Sequence, residues 1–153
     1  QGLQQFGMRR WIADAHVDAR YAGFLARTVL AYSRVGNVSD LYQQQQTGGT
    51  LTASSAAVGS DLYGGYFELG YDVLHLFGSD QELVAFGRFE RMDTQFRQPA
   101  GFQRDGAADR TTYTLGLRYK PIVQLAAKAE YQIIRNGAQT GVNQINISLG
   151  YIF

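Results

Sequence analysis

The sequence predicts an all-β fold, namely an antiparallel transmembrane β-barrel or a portion of one. The clearest sign lies in residues 143–153, where apolar positions alternate with polar ones or glycine, the period of two that a strand with one apolar face requires. No stretch approaches the roughly 18 consecutive apolar residues of a membrane-spanning helix. The chain contains 18 Gly, 10 Tyr and 9 Phe but 2 Pro, which favours long strands with few interruptions. The alternating apolar residues are Ile145, Ile147, Leu149, Tyr151 and Phe153.

Charge and cysteine content exclude several classes of protein. The 153 residues carry 14 Lys and Arg against 13 Asp and Glu, so the net charge is +1 and no basic field favours a nucleic-acid partner. The absence of Cys excludes disulfide bonds, thiolate metal sites and Cys nucleophiles. The length suits a single domain, so residues 1–153 are expected to form one transmembrane barrel domain or the C-terminal part of one.

The first two strands are expected to form a hairpin. Residues 11–21 alternate small or apolar side chains with acidic residues and a His, and a helix drawn through them would scatter its charges around the cylinder. Residues 22–23 are Ala-Gly, which predicts a short turn, and a second strand is expected at residues 24–35.

Two long loops are expected, near residues 36–64 and 94–110. The first contains four consecutive Gln residues and several Gly and Ser residues with little hydrophobic periodicity; a linker between domains is the alternative. Between the loops, a third strand is expected to run from Phe67 to a tight turn at residues 78–80. A fourth strand is expected at residues 83–90.

The clearest hairpin of the chain follows the second loop. Residues 112–120 and 123–133 alternate between apolar positions and positions that are mostly polar. Pro121 separates them, because proline has no N–H to donate to the sheet. Asn136–Gly137 predicts a short loop, and the final strand is expected to begin near Asn143.

The order of the connections predicts a topology. Short connections alternate with longer ones, as in outer-membrane barrels whose short turns face the periplasm. This alternation of short and long connections places Phe153 at the periplasmic side of a bacterial outer membrane. About seven strands are expected, whereas single-chain bacterial barrels have an even number. The chain is therefore expected to be the C-terminal portion of a larger barrel, or one of several pieces that close it as a homo-oligomer or with other barrel-forming segments.

Three stretches resemble a known family. FGRFERMDTQ (residues 86–95), YTLGLRYKPIVQLAAKAEYQ (113–132) and NQINISLGYIF (143–153) look like the C-terminal part of outer-membrane porins of the phosphate-selective porin O/P type. The resemblance implies a trimeric passive channel of about 16 strands, sometimes selective for anions. Tyr151 and Phe153 match the family's terminal assembly signal, although Ser148 stands where that signal often carries Gly.

Charged residues opposite the apolar positions form the candidate site. If the apolar faces meet lipid, these side chains line a lumen and influence which ions pass through it. The alternative is that they pair across strands and hold the wall together, for example Arg88 with Glu68 or Arg118 with Glu130. Phosphate selectivity would require an excess of Arg and Lys, which the near balance of acids and bases does not provide. The predicted pore-lining residues are Arg27, Glu68, Asp72, Arg88, Glu90, Arg118, Lys120, Lys128 and Glu130.

The remaining candidates favour structural roles. His16 lies between Asp14 and Asp18, but one His with alternate Asp residues is more typical of a polar lining than of a metal site. No Ser alternates suitably with His16 or His75 for a lipase-type pair, so no catalytic, cofactor-binding or metal-binding residue is predicted, and no enzyme activity. The many Tyr residues could stack sugars, yet their positions near strand ends favour an interfacial aromatic girdle.

The expected function is that of an outer-membrane porin, a passive diffusion channel for small ions or polar solutes through a water-filled barrel. Membrane lipid and lipopolysaccharide are the expected surroundings. The alternative is a non-conducting outer-membrane barrel that anchors or sheathes partner proteins. A soluble lipocalin-like barrel also remains open, because alternation alone does not say which face is inside, and such a barrel would turn its apolar residues inward.

Overall fold

Seven strands form one antiparallel sheet in which every strand pairs with its neighbours in sequence. The computed structural model describes residues 9–39, 59–99 and 103–152. Within these ranges the sheet is open, with β1 at one edge and β7 at the other. The strands are β1 (Arg10–Tyr21), β2 (Phe24–Val35), β3 (Asp61–Asp72), β4 (Glu82–Arg97), β5 (Asp109–Ile122), β6 (Leu125–Asn136) and β7 (Asn143–Tyr151), and two short 3-10 helices span Val73–Phe77 and Gly106–Ala108.

The described helices are short. None in residues 9–39, 59–99 and 103–152 has the length and hydropathy to cross a membrane.

The register divides the side chains between two faces, because paired residues on neighbouring strands point the same way. The polar face contains a row that crosses the whole sheet: Asp18, Arg27, Glu68, Arg88, Thr114, Gln132 and Gln144. The sequence neighbours of these residues form a parallel row on the apolar face: Ala19, Ala26, Leu69, Gly87, Leu115, Tyr131 and Ile145.

The sheet curls towards its polar face. Arg20 on β1 and Glu82 on β4 form an ion pair of 3.0 Å, although β2 and β3 lie between their strands. In a flat sheet three strand spacings would separate them by about 14 Å sideways. Glu82 also lies four residues along β4 from Phe86, which shares a row with Arg20. Side chains of this length meet only if the sheet is bent, so the polar face is concave.

The connections fall into two groups at opposite ends of the strands. Residues 22–23, 73–81 and 123–124 join the strands at what we call the turn end, and residues 36–60, 98–108 and 137–142 join them at the loop end. The turn at residues 22–23 has positive φ angles of 48° and 83°, the conformation of a tight hairpin turn whose twist suits its strands. The longest connections are therefore at the loop end, as predicted.

The predicted all-β fold of seven strands is confirmed, and β2 has the predicted bounds. The ladder between β5 and β6 shifts between Tyr119 and Ile122, where Pro121 was predicted to interrupt it. The short connection expected at Pro121 lies instead at residues 123–124, because β5 continues to Ile122 and pairs there with Leu125.

Both long loops are shorter than predicted. β3 begins at Asp61, inside the expected loop at 36–64, because Leu62 and Tyr63 pair with β2. β4 continues to Arg97 and β5 begins at Asp109, which leaves residues 98–108 of the loop expected at 94–110. Residues 40–58 and 100–102 lie outside the described part of the chain.

The third strand ends earlier than predicted. It was expected to run on to a turn at residues 78–80, but β3 ends at Asp72. The Asp72 carboxylate accepts hydrogen bonds from the backbone N–H groups of Leu74 (3.1 Å) and Leu83 (2.9 Å). These bonds turn the chain into the helix Val73–Phe77.

Replacing Gly116 by Ala is expected to destabilise the protein by about 1–3 kcal/mol, the usual cost of overpacking. A Cβ atom there would lie 2.5 Å from Cζ of the buried Phe86 ring and 3.0 Å from the carbonyl oxygen of Ala129. Gly87→Ala is the matched control, because its Cβ would lie 3.6 Å from the Leu115 side chain. Urea unfolding in detergent micelles measures both, and equal stabilities would contradict the packing described.

Candidate functional site

The register places all nine predicted pore-lining residues on the polar, concave face. Arg27, Glu68 and Arg88 share the central row, and Glu90 lies one row closer to the loop end. The others lie closer to the turn end: Asp72, Arg118, Lys120, Lys128 and Glu130.

Glu68 is the centre of this face. It is 4% exposed. Arg88 donates to its Oε2 atom from Nε at 2.9 Å and from Nη2 at 2.6 Å. Arg27 and Arg118 approach its Oε1 atom at 3.9 Å and 4.0 Å. The arginines come from β2, β4 and β5, so Glu68 ties four strands together. The pairing of Arg88 with Glu68, named in the alternative in which these charges hold the wall together, is confirmed.

The network continues to both sides of Glu68. Arg27 also binds Asp18 on β1, with Nη2 2.7 Å from Oδ2. The Arg88 guanidinium lies over the Tyr66 ring, 5.0 Å from its centroid, which is cation–π geometry. The polar face is thus held by charge-assisted contacts that run along its central row.

Glu82 is a polar-face residue that the sequence reasoning missed. Arg20, Lys120 and Arg118 approach its carboxylate at 3.0, 3.4 and 3.7 Å. Because the fourth strand was expected to begin at Leu83, the sequence analysis left Glu82 in the preceding turn. Strand alternation was the available signal: Glu82 lies an even number of residues from Arg88 and Glu90, which were already assigned to the polar face.

Two predicted residues, Arg118 and Glu130, have partners other than those named in the alternative. Glu130 pairs with Lys128 at 2.8 Å, whereas Arg118 reaches Glu68 and Glu82, so the pairing of Arg118 with Glu130 named in the alternative is wrong. The register explains this, because Lys128 lies opposite Arg118 and Glu130 lies opposite Gly116. Asp72 binds backbone N–H groups, as described above.

The apolar face is exposed, whereas much of the polar face is buried. Leu115 and Ile147 on the apolar face are 68% and 83% exposed. On the polar face, Thr112, Thr114 and Glu130 are buried, as are Leu25, Val84 and Phe86. This burial is the reverse of what a water-soluble sheet shows, where the apolar side chains are covered and the charged ones face solvent.

Charged side chains on the apolar face lie at one end. In the described strands they are at the loop end, and they are Arg34, Asp61, Arg91, Asp93, Arg97, Asp109 and Arg135. Aromatic residues lie on this face at both ends: Tyr21, Phe24, Tyr71, Tyr119 and Tyr151 at the turn end, and Trp11, Tyr32 and Tyr63 at the loop end. Between the two ends the apolar face forms an uncharged band.

No metal site emerges around His16. It lies on the polar face opposite Val29, one row from the pair formed by Asp18 and Arg27. Within residues 9–39, 59–99 and 103–152, no group of three or more His, Cys, Asp or Glu residues is arranged to hold a metal ion.

Comparison with known proteins yields one distant relative. The chain is 26% identical over 121 residues to an uncharacterized protein of Aquifex aeolicus, and the match covers 79% of this chain and 28% of that protein. The match thus spans less than a third of the length of that relative. No family model matches the sequence. No solved structure matches it either.

Proposed function

We propose that the protein forms the wall of an outer-membrane β-barrel of a Gram-negative bacterium and acts as a passive diffusion channel for small ions or polar solutes. The single observation that carries the proposal is the inverted burial: an exposed apolar face on the convex side and ion pairs on the concave side. A barrel in lipid has this distribution, whereas a lipocalin-like barrel has the opposite one.

The dimensions of the apolar band support this proposal. On β5 the uncharged part of the apolar face runs from Thr111 to Ile122, which is about 36 Å along the strand. With the tilt of about 40° usual in such barrels, it would cross about 28 Å, close to their apolar band of about 25 Å. The charged loop end would face lipopolysaccharide and the turn end the periplasm, where Phe153 is expected.

The open edges support a larger barrel. β1 and β7 each have one side without a partner strand in the described sheet, and outer-membrane barrels close so that no edge remains in lipid. Further strands of the same polypeptide, or other copies of it, would supply the missing pairing. The match to less than a third of a longer relative is consistent with this, as is the resemblance to phosphate-selective porins of the O/P type.

The proposed mechanism is diffusion along a polar wall, with no reaction, no cofactor and no nucleic-acid partner. Charges in close proximity set which ions pass such a wall. The central row alternates in sign from Asp18 to Arg27, Glu68 and Arg88. The alternating charges would give the wall no uniform field, which favours small ions of either sign.

A non-conducting barrel that anchors or sheathes partner proteins is the second candidate. It is favoured by a small apolar cluster on the concave face, formed by Leu25, Val84 and Phe86, of which Val84 is 0% exposed. A barrel narrow enough to be filled by such side chains passes no steady current.

Planar-bilayer conductance of the full-length protein distinguishes the two candidates. The channel proposal predicts discrete conductance steps from a heat-labile assembly that runs differently in unheated and boiled samples. Heat-labile assembly without conductance would favour the anchoring barrel. A protein that stays soluble without detergent and keeps its mobility on boiling would contradict both.

A further inference from the structure

Glu82 at the turn end of the concave face balances more positive charge than one carboxylate can neutralise. Arg20 Nη1 lies 3.0 Å from Oε2, while Lys120 Nζ and Arg118 Nε lie 3.4 Å and 3.7 Å from Oε1. The Arg118 Nε distance exceeds that of a hydrogen bond. Three cations thus share one acid, two of them at longer range.

Two other acids at this end, Asp72 and Glu130, are already engaged. Asp72 accepts hydrogen bonds from the backbone N–H groups of Leu74 and Leu83. Glu130 holds Lys128 at 2.8 Å. Glu82 is therefore the acid on which the charge balance of this group depends.

These side chains extend over the concave face. Arg20 reaches Glu82 from β1 across β2 and β3, and Lys120 reaches it from β5. The Arg20 and Lys120 side chains are 50% and 32% exposed and the Glu82 side chain is 20% exposed, so solutes at this end can meet them. The group around Glu68 differs in two ways. Glu68 is deeply buried, and Arg27 forms an ion pair with a second acid, Asp18.

We propose that Glu82 is the residue that sets the ion selectivity of the channel, by offsetting the cations of Arg20, Arg118 and Lys120 at the turn end. The inference rests on the proposed channel function. It follows that removal of the Glu82 charge leaves Arg20 and Lys120 without this carboxylate and Arg118 with only the more distant Glu68, at 4.0 Å. Removal of the Lys120 charge acts in the opposite direction.

The test compares reversal potentials of the full-length protein and its variants in planar bilayers under a KCl gradient. Ionic strength is kept near about 0.1 M, where charges remain unscreened over about 10 Å. Glu82→Gln is expected to raise the chloride-to-potassium permeability ratio by about fivefold, the factor that one unit charge at contact distance gives in bulk water. Lys120→Gln is expected to lower the ratio, which keeps the test decisive if Glu82→Gln does not assemble.

Asp109→Asn is the matched control. It removes the same charge from the apolar face, where Asp109 pairs with Arg91 at 3.4 Å, and is expected to leave the ratio unchanged. A conducting protein whose ratio moves with neither Glu82→Gln nor Lys120→Gln would overturn the role of Glu82 and leave the channel function standing. An equal shift of the permeability ratio in Asp109→Asn would also overturn the role of Glu82. A wild-type protein that does not conduct would overturn both the channel function and the role of Glu82.

Discussion

Replacement of Leu115 by Arg is expected to destabilise the membrane-inserted protein by about 2–4 kcal/mol, the cost of an Arg on the lipid face of a barrel near the bilayer midplane. Leu115 lies on β5 within the uncharged band of the apolar face and is 68% exposed. In a water-soluble protein the same change at so exposed a position would alter stability by no more than about 0.5 kcal/mol. The two environments therefore predict clearly different results.

Gln132→Arg is the control for Leu115→Arg, because Gln132 lies on the polar face of the neighbouring strand β6, opposite Thr114. Its added cation would lie on the concave face near Glu130, and a change within about 1 kcal/mol is expected. Urea unfolding in liposomes measures both variants. Similar stabilities for the two would contradict a lipid-facing position for Leu115.

Replacement of Glu68 by Ala is expected to cost about 3–5 kcal/mol, the usual penalty for leaving buried charges without a partner. Arg88 would lose contacts of 2.6 and 2.9 Å, and Arg27 and Arg118 would lose their nearby anion. Glu90→Ala should cost less than about 1 kcal/mol, because the ion pair of Glu90 within the described strands is with the partially exposed Arg110, at 3.8 Å.

A double-mutant cycle sharpens the Glu68 prediction. Adding Arg88→Ala to Glu68→Ala should recover part of the lost stability, since it removes the unpaired cation, so the two changes should not be additive. Additive effects, or a Glu68→Ala cost no greater than that of Glu90→Ala, would show that Glu68 does not organise the central row.

The sequence predicts which face a side chain occupies better than which partner it meets. Alternation alone assigns Arg118 and Glu130 correctly to the polar face. Their pairing could not be predicted, because the register between β5 and β6 depends on the bulge at Pro121 and shifts Lys128 into the position opposite Arg118. The longer reach of Arg20 to Glu82 depends on the curl of the sheet, which no local pattern encodes.

The start of β3 shows a second limit. Residues 60–65 read SDLYGG, and adjacent glycines usually indicate a loop. In the sheet, a Cβ on Gly65 would lie 2.7 Å from Leu30 Cδ2, and one on Gly64 would lie 3.3 Å from Met92 Cβ. The glycines therefore make room for side chains on the neighbouring strands. This reason for glycine is nonlocal and is visible only once β2 and β4 are in place.

Fluorescence quenching by lipid tests most directly the central claim that the exposed apolar face contacts a bilayer. The chain has a single Trp, so Trp11→Phe provides a background into which Leu115→Trp or, on the opposite face, Gln132→Trp is introduced. In liposomes of lipid brominated on the acyl chains, fluorescence from position 115 is expected to be strongly quenched and insensitive to aqueous iodide, with the reverse at position 132. Quenching of position 115 by iodide but not by brominated lipid would contradict the account.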